Sequence, residues 1–85
     1  MKTFIEYESE RFRLVNFGNG WAYTLINLGN GKSLFFQDDD ARQFDSDYES
    51  ACDAFDSIEI ALKHVWNEYE DIAQLTPLRD YLLGK

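Results

Sequence analysis

The stretch SLFFQDDDARQF, residues 33–44, decides the fold because the hydrophobic period changes within it. Its first part, Ser33 to Gln37, is a short apolar run with the length and composition of a β-strand. From residue 38 onward the apolar residues recur every three or four positions, which is the spacing of one face of an α-helix. They are Ala41, Phe44, Tyr48, Ala51, Cys52 and Phe55. The chain is therefore predicted to pass from sheet to helix here, as in an α+β fold.

Upstream of this change, three further runs have strand composition: residues 3–7, 11–17 and 21–28. Residues 18–20 and 29–32 separate the later runs, and both contain the Asn-Gly pair that is typical of tight hairpin turns. We predict a three- to four-stranded antiparallel β-meander over about residues 3–37.

Downstream, we predict helices at about residues 39–55 and 57–73, packed on one face of the sheet. The first could be interrupted near residues 45–47, and the Asp run 38–40 suits its N-terminus. The second begins with a sequence that resembles a capping box, with Asp56 in place of the usual Ser or Thr. Thr76-Pro77 predicts a short C-terminal helix at 77–83, which ends at Gly84.

The length of 85 residues predicts a single domain, residues 1–85. A lone cysteine permits no intramolecular disulfide, and the N-terminus has no apolar signal-peptide core. No apolar run approaches the roughly 18 residues of a membrane span. We therefore expect a cytoplasmic protein.

Acidic residues are concentrated in the middle of the chain. The net charge is −8, with +1 on residues 1–37, −10 on residues 38–71 and +1 on residues 72–85. A polyanionic segment repels nucleic acid and anionic membranes and attracts basic surfaces. We therefore expect a basic protein as partner, no direct nucleic-acid binding, no membrane, and a monomer or weak homodimer.

The sequence contains no recognisable catalytic constellation. Nucleophilic catalysis needs a base beside the nucleophile. The single imidazole, His64, is predicted on the polar side of the second helix, whereas Cys52 lies on the apolar side of the first. One His and one Cys are too few for a zinc site.

Residues 45–56 have the spacing of a calcium-binding loop only in part. Acids fall at loop positions 1, 3, 5, 9 and 12, but position 6 is Ser50 and not Gly, and position 12 is Asp56 and not Glu. Helical apolar spacing also runs through this stretch. We therefore predict a protein without metal or cofactor that is not an enzyme.

Four acids recur on one side of the first predicted helix. Asp45, Glu49, Asp53 and Asp56 are spaced by four, four and three residues, which places them on one face at intervals of about 6 Å along the axis. Like charges at this spacing destabilise a helix by roughly 0.2–0.5 kcal/mol per pair. The uncompensated stripe is therefore a small loss of stability, which a binding role would explain.

Within residues 38–71, only Asp38–Arg42 and Glu59–Lys63 form favourable pairs at helical spacing. We predict that the acidic surface continues onto the second helix and forms the partner-binding site. Its predicted residues are Asp45, Asp47, Glu49, Asp53, Asp56, Glu59, Glu68, Glu70 and Asp71.

A short, acidic, aromatic-rich α+β chain without catalytic residues resembles the small phage-encoded inhibitors of bacterial defence: anti-CRISPR proteins, uracil-DNA glycosylase inhibitors and restriction-inhibiting DNA mimics. The resemblance lies in the acids of residues 38–71 and in the aromatics interleaved with them: Phe44, Tyr48, Phe55, Trp66 and Tyr69. It covers the class of chain and not an aligned motif. It implies an anti-CRISPR in the host bacterial cytoplasm that occludes the DNA site of a Cas complex or nuclease.

Two other interpretations stay open at this point. The acidic face can simply keep a small protein soluble and monomeric. Alternatively, the chain is a small adaptor, immunity or antidote protein that binds through aromatic and apolar groups, with Trp21, Tyr23 and Trp66 as anchors.

Overall fold

A computed structural model of the chain describes residues 4–17 and 22–76. Four strands come first: β1 (Phe4–Glu8), β2 (Phe12–Asn16), β3 (Ala22–Asn27) and β4 (Lys32–Gln37). Two helices follow, α1 (Asp39–Phe55) and α2 (Ile58–Tyr69), then a 3-10 turn (Glu70–Ile72) and a two-residue strand, β5 (Gln74–Leu75). The predicted α+β fold, an antiparallel meander followed by two helices, is confirmed.

The strands form one antiparallel sheet in the order β1-β2-β3-β4-β5. The β3–β4 hairpin closes through the Gly31 N–H, which donates to the Asn27 carbonyl at 2.9 Å. Gly31 has a φ of 74°, a left-handed conformation that glycine adopts without steric cost. The hairpin predicted at residues 18–20 lies outside the described residues.

The central strands are buried on both faces. Leu14, Leu25 and Leu34 lie side by side in register and pack toward the helices. Val15, Thr24 and Ile26 lie on the opposite face and are also at most 2% exposed. Strands buried on two faces lose the alternation of apolar and polar residues, which explains why these strands alternate only in part.

Helix α1 is continuous from Asp39 to Phe55, so the predicted interruption near residues 45–47 is wrong. The apolar spacing runs unbroken across that point, and Ala41, Phe44 and Ala51 are buried beneath it. Packing of this face outweighs the weak helix propensity of Asp-Ser-Asp. The helix ends at Asp56, which adopts the left-handed conformation, with its N–H donating to the Cys52 carbonyl at 3.0 Å.

Helix α2 begins one residue later than the capping-box interpretation requires. Ser57 is the N-cap, and its hydroxyl accepts from the Ile60 N–H at 3.4 Å. The helix also ends earlier than residue 73, because the chain turns at Glu70–Ile72 and pairs with β4 as β5. The predicted C-terminal helix at 77–83 lies outside the described residues.

The interior between sheet and helices is built from aromatic rings around Phe44, which is fully buried. Its ring centroid lies 4.7 Å from that of Phe36, 5.1 Å from Tyr23 and 5.7 Å from Tyr48. Aromatic pairs at these distances stabilise a small core beyond their buried area. The position of α1 over the sheet is therefore fixed by aromatic packing.

Candidate acidic binding face

The outer side of α1 carries three of the predicted acids in an uninterrupted row. Glu49 and Asp53 are exposed, and Asp45 is half-buried. None of the three carboxylates forms a hydrogen bond or ion pair with another residue of 4–17 or 22–76. We call Asp45, Glu49 and Asp53 the outer acidic face. Its carboxylates make no contact that stabilises the described fold, and those of Glu49 and Asp53 are exposed to solvent.

The electrostatic effects of these acids show that they act on one side of the helix. Burial raises the pKa of Tyr23, and the charges of Asp45, Glu6 and Glu49 raise it further. Burial also raises the pKa of the Cys52 thiol, with added contributions from Asp53 and Glu49. Glu49 contributes to both shifts, so its charge acts on Tyr23 and on Cys52.

Glu6 belongs to this neighbourhood although sequence reasoning missed it. The pairing of β1 with β2 shifts register between Ile5 and Tyr7, and Glu6 is the extra residue at this irregularity. The Asn16 amide donates to Glu6 at 3.4 Å. The register shift has no sequence signal of its own, since it depends on how two strands pair.

Two of the predicted binding residues form hydrogen bonds that stabilise the fold. The Asp47 carboxylate accepts from the Tyr69 hydroxyl at 2.6 Å and from the Gln43 amide at 3.1 Å, which ties α1 to α2. Glu59 accepts from the Tyr7 hydroxyl at 3.1 Å and ties α2 to β1. The hydrogen bond with Asp47, followed by burial, raises the pKa of Tyr69 to about 12. Neither carboxylate belongs to the outer acidic face.

The other predicted acids occupy separate places. Asp56 is exposed but caps the end of α1, and its left-handed backbone takes it out of the helical row. Glu68, Glu70 and Asp71 are exposed near the end of α2. Glu68 shares a shallow groove with Asp47 between the helices, and Glu70 lines a different cleft. The structure thus divides the nine predicted residues into three groups and does not gather them on one face.

The aromatic anchors of the alternative interpretation are core residues. Tyr23 is 6% exposed and Trp66 is 5% exposed, so neither can anchor a partner, and Trp21 lies outside the described residues. Among the described residues, exposed large apolar side chains occur around the α1–α2 connection, where Phe55, Ile58 and Ile60 are each 41–50% exposed, and also at Phe35, Ile72 and Leu75.

The catalytic candidates gain no support from their surroundings. Because burial raises the pKa of Cys52, its thiol is protonated at neutral pH, the opposite of an activated nucleophile. His64 is exposed and its ring lies 5.2 Å from that of Phe55. The calcium spacing of residues 45–56 falls within continuous helix, which cannot fold as a calcium-binding loop.

Within the described part of the chain, no cluster of three or more His, Cys, Asp or Glu side chains could hold a metal ion. Nor does either of its helices have the length and apolarity that crossing a bilayer requires. Comparisons with protein-family profiles, with curated proteins and with solved structures found no match to the chain.

Proposed function

We propose that this chain is a non-enzymatic, protein-binding inhibitor whose outer acidic face occupies a basic, nucleic-acid-binding surface of another protein. The observation that supports this most directly is the row Asp45, Glu49 and Asp53, whose carboxylates have no partner in the described structure. Repulsion along the row destabilises the helix by roughly 0.2–0.5 kcal/mol per pair. Binding to a cationic surface relieves that repulsion and turns it into affinity.

The expected contacts are charge-assisted hydrogen bonds. Lys and Arg side chains that donate hydrogen bonds to phosphates in a nucleic-acid site can also donate them to carboxylates. The helical row presents a charge every 6 Å or so, compared with about 3.4 Å along one DNA strand. Glu6, which lies near Asp45 and Glu49, adds negative charge beside the row. Under the phage-inhibitor resemblance, the target is a Cas complex subunit or a nuclease, and the protein is an anti-CRISPR.

A second candidate function rests on the apolar surface at the α1–α2 connection. Phe55, Ile58 and Ile60 are exposed on a small domain that otherwise buries most of its large apolar side chains. Exposed apolar groups that lie together favour protein–protein contact. An adaptor, immunity or antidote protein would use these residues as anchors in place of Tyr23 and Trp66.

The experiment compares three tagged proteins as bait in a bacterial lysate: wild type, the variant Asp45→Lys/Glu49→Lys/Asp53→Lys, and the variant Glu68→Lys/Glu70→Lys/Asp71→Lys. The two variants change the net charge equally, so they separate the outer acidic face from total charge. A protein retained by wild type and by the second variant, but bound at least 100-fold more weakly by the first, is the expected partner. Its DNA binding should be lost on addition of one equivalent of wild type, and the complex should dissociate as salt rises.

Other results would change the assignment. Equal loss in both variants would mean that net charge alone matters and that there is no defined face. Retention by both variants at all salt concentrations would favour the apolar surface, which Phe55→Ser and Ile60→Ser would then test. If no protein is retained by wild type, the acidic residues serve solubility.

A further inference from the structure

A cleft of about 390 Å³ lies where the start of β2 and the β3–β4 turn face the side of α2. Phe12 and Trp66 form its floor; they are 3% and 5% exposed, and their ring centroids are 6.3 Å apart. The volume falls in the range of small-molecule sites, roughly 300–1,000 Å³. None of the residues of the outer acidic face lines it.

Two cations line this cleft in an otherwise acidic molecule. Arg11 and Lys63 are both exposed, and the charged side chain of neither forms an ion pair or hydrogen bond with another residue that the structure describes. The predicted partner of Lys63 was Glu59, but that carboxylate accepts from the Tyr7 hydroxyl instead. Two of the five Lys and Arg side chains in residues 4–17 and 22–76 thus meet in one cleft without a compensating partner.

The cleft also offers amide donors that are already oriented. The side-chain oxygen of Asn27 accepts from the Gly29 N–H at 2.9 Å, and that of Asn30 accepts from the Lys32 N–H at 2.9 Å. Both amide oxygens are therefore engaged with backbone donors of the turn. The NH₂ group of each side chain remains available as a donor of two hydrogen bonds.

Together these groups make a site rich in donors. Arg11, Lys63, Asn27 and Asn30 supply positive charge or N–H groups, and Glu70 is the one carboxylate among the described residues of the lining. A tetrahedral oxyanion accepts hydrogen bonds from several directions, which suits donors that come from a turn, a strand end and a helix. We propose that this cleft binds a phosphate group, either free phosphate or the phosphate of a small organic molecule that extends over the cleft.

The test is a titration followed by ¹H–¹⁵N NMR, which resolves the Asn side-chain NH₂ groups and the cleft backbone amides. The probes are inorganic phosphate, AMP and adenosine, and acetate serves as a planar anion for comparison. Phosphate and AMP should shift the cleft signals, whereas adenosine and acetate should not. Tighter binding of AMP than of phosphate would identify an organic phosphate as the ligand, and equal binding would identify free phosphate.

The variants Arg11→Gln and Lys63→Gln should each weaken phosphate or AMP binding by about tenfold, with the fold intact. Lys32→Gln is the matched control, because Lys32 is exposed and its side chain does not line the cleft. The proposal is overturned if adenosine binds as well as AMP, if no probe shifts the cleft signals, or if Lys63→Gln binds as tightly as Lys32→Gln. None of these outcomes depends on the outer acidic face.

Discussion

The two flanks of α1 carry carboxylates of the same kind in opposite situations. On the flank toward α2, Asp47 accepts hydrogen bonds from Tyr69 and Gln43. On the outer flank, Asp45, Glu49 and Asp53 accept none from the described residues. Acid content alone therefore says little about role. The side chain that faces a carboxylate decides whether it stabilises the fold or is free to bind.

The largest effect on stability should follow loss of the inward carboxylate. Asp47→Ala leaves the half-buried Tyr69 hydroxyl without its acceptor, and we expect the free energy of unfolding to fall by about 1–3 kcal/mol. Asp53→Ala makes the same change on the outer flank of the same helix and should alter it by no more than about 0.5 kcal/mol. Urea unfolding of both variants measures the difference. Equal losses would show that the two flanks do not differ as described.

The phenol groups of Tyr69 and Tyr48 make the stability of the fold depend on pH. Tyr69 and Tyr48 both have a pKa raised from 10 to about 12, Tyr69 chiefly by its hydrogen bond to Asp47 and Tyr48 chiefly by burial. The folded state holds these protons more tightly than the unfolded chain. The stability they contribute is therefore complete below pH 10 and is lost as pH rises from 10 to 12.

Tyr69→Phe removes one of these titrations, so its stability should fall less steeply between pH 10 and pH 12 than that of wild type. Urea unfolding at pH 8, 10, 11 and 12 gives both slopes. The double variant Tyr48→Phe/Tyr69→Phe should be flatter still. A Tyr69→Phe slope as steep as that of wild type would mean that the hydrogen bond to Asp47 does not hold the phenolic proton.

How much the sequence predicts depends on the range of the interactions involved. The strands and helices were predictable because their apolar spacing is local, and the bounds 39–55 of α1 agree with the structure. β5 was not, because two residues carry no periodicity and become a strand only by pairing with Lys32 and Ser33. Local pattern therefore fixes long elements, while short edge strands depend on tertiary contact.

The candidate site was predictable only in part, for the same reason. The row Asp45, Glu49 and Asp53 follows from helical spacing within one element. The role of Asp47 depends on Tyr69, 22 residues later, and that of Glu59 depends on Tyr7, 52 residues earlier. Only the folded chain reveals which acids are engaged by partners distant in sequence.

A substitution at Asp56 tests whether the outer acidic face ends at Asp53. It caps α1 with a φ of 53°, a conformation that glycine adopts more readily than aspartate. Asp56→Gly should therefore raise the free energy of unfolding by about 0.5–1 kcal/mol, as measured by urea unfolding. Its affinity for the partner should remain that of wild type. A loss of affinity comparable to that of the Asp45→Lys/Glu49→Lys/Asp53→Lys variant would place Asp56 within the binding face.

A small effect, opposite in sign to that of Asp47→Ala, is expected within the outer flank itself. Asp45 lies one turn before Glu49 and Asp53 lies one turn after it. Glu49→Gln therefore removes two pairs of like charges at helical spacing. Unfolding free energy should rise by about 0.2–0.5 kcal/mol per pair at low ionic strength, and the gain should shrink in 0.5 M NaCl because exposed charges are screened. A urea midpoint that does not rise at low salt would mean that these carboxylates do not repel one another, and the affinity attributed to relief of that repulsion would lose its physical basis.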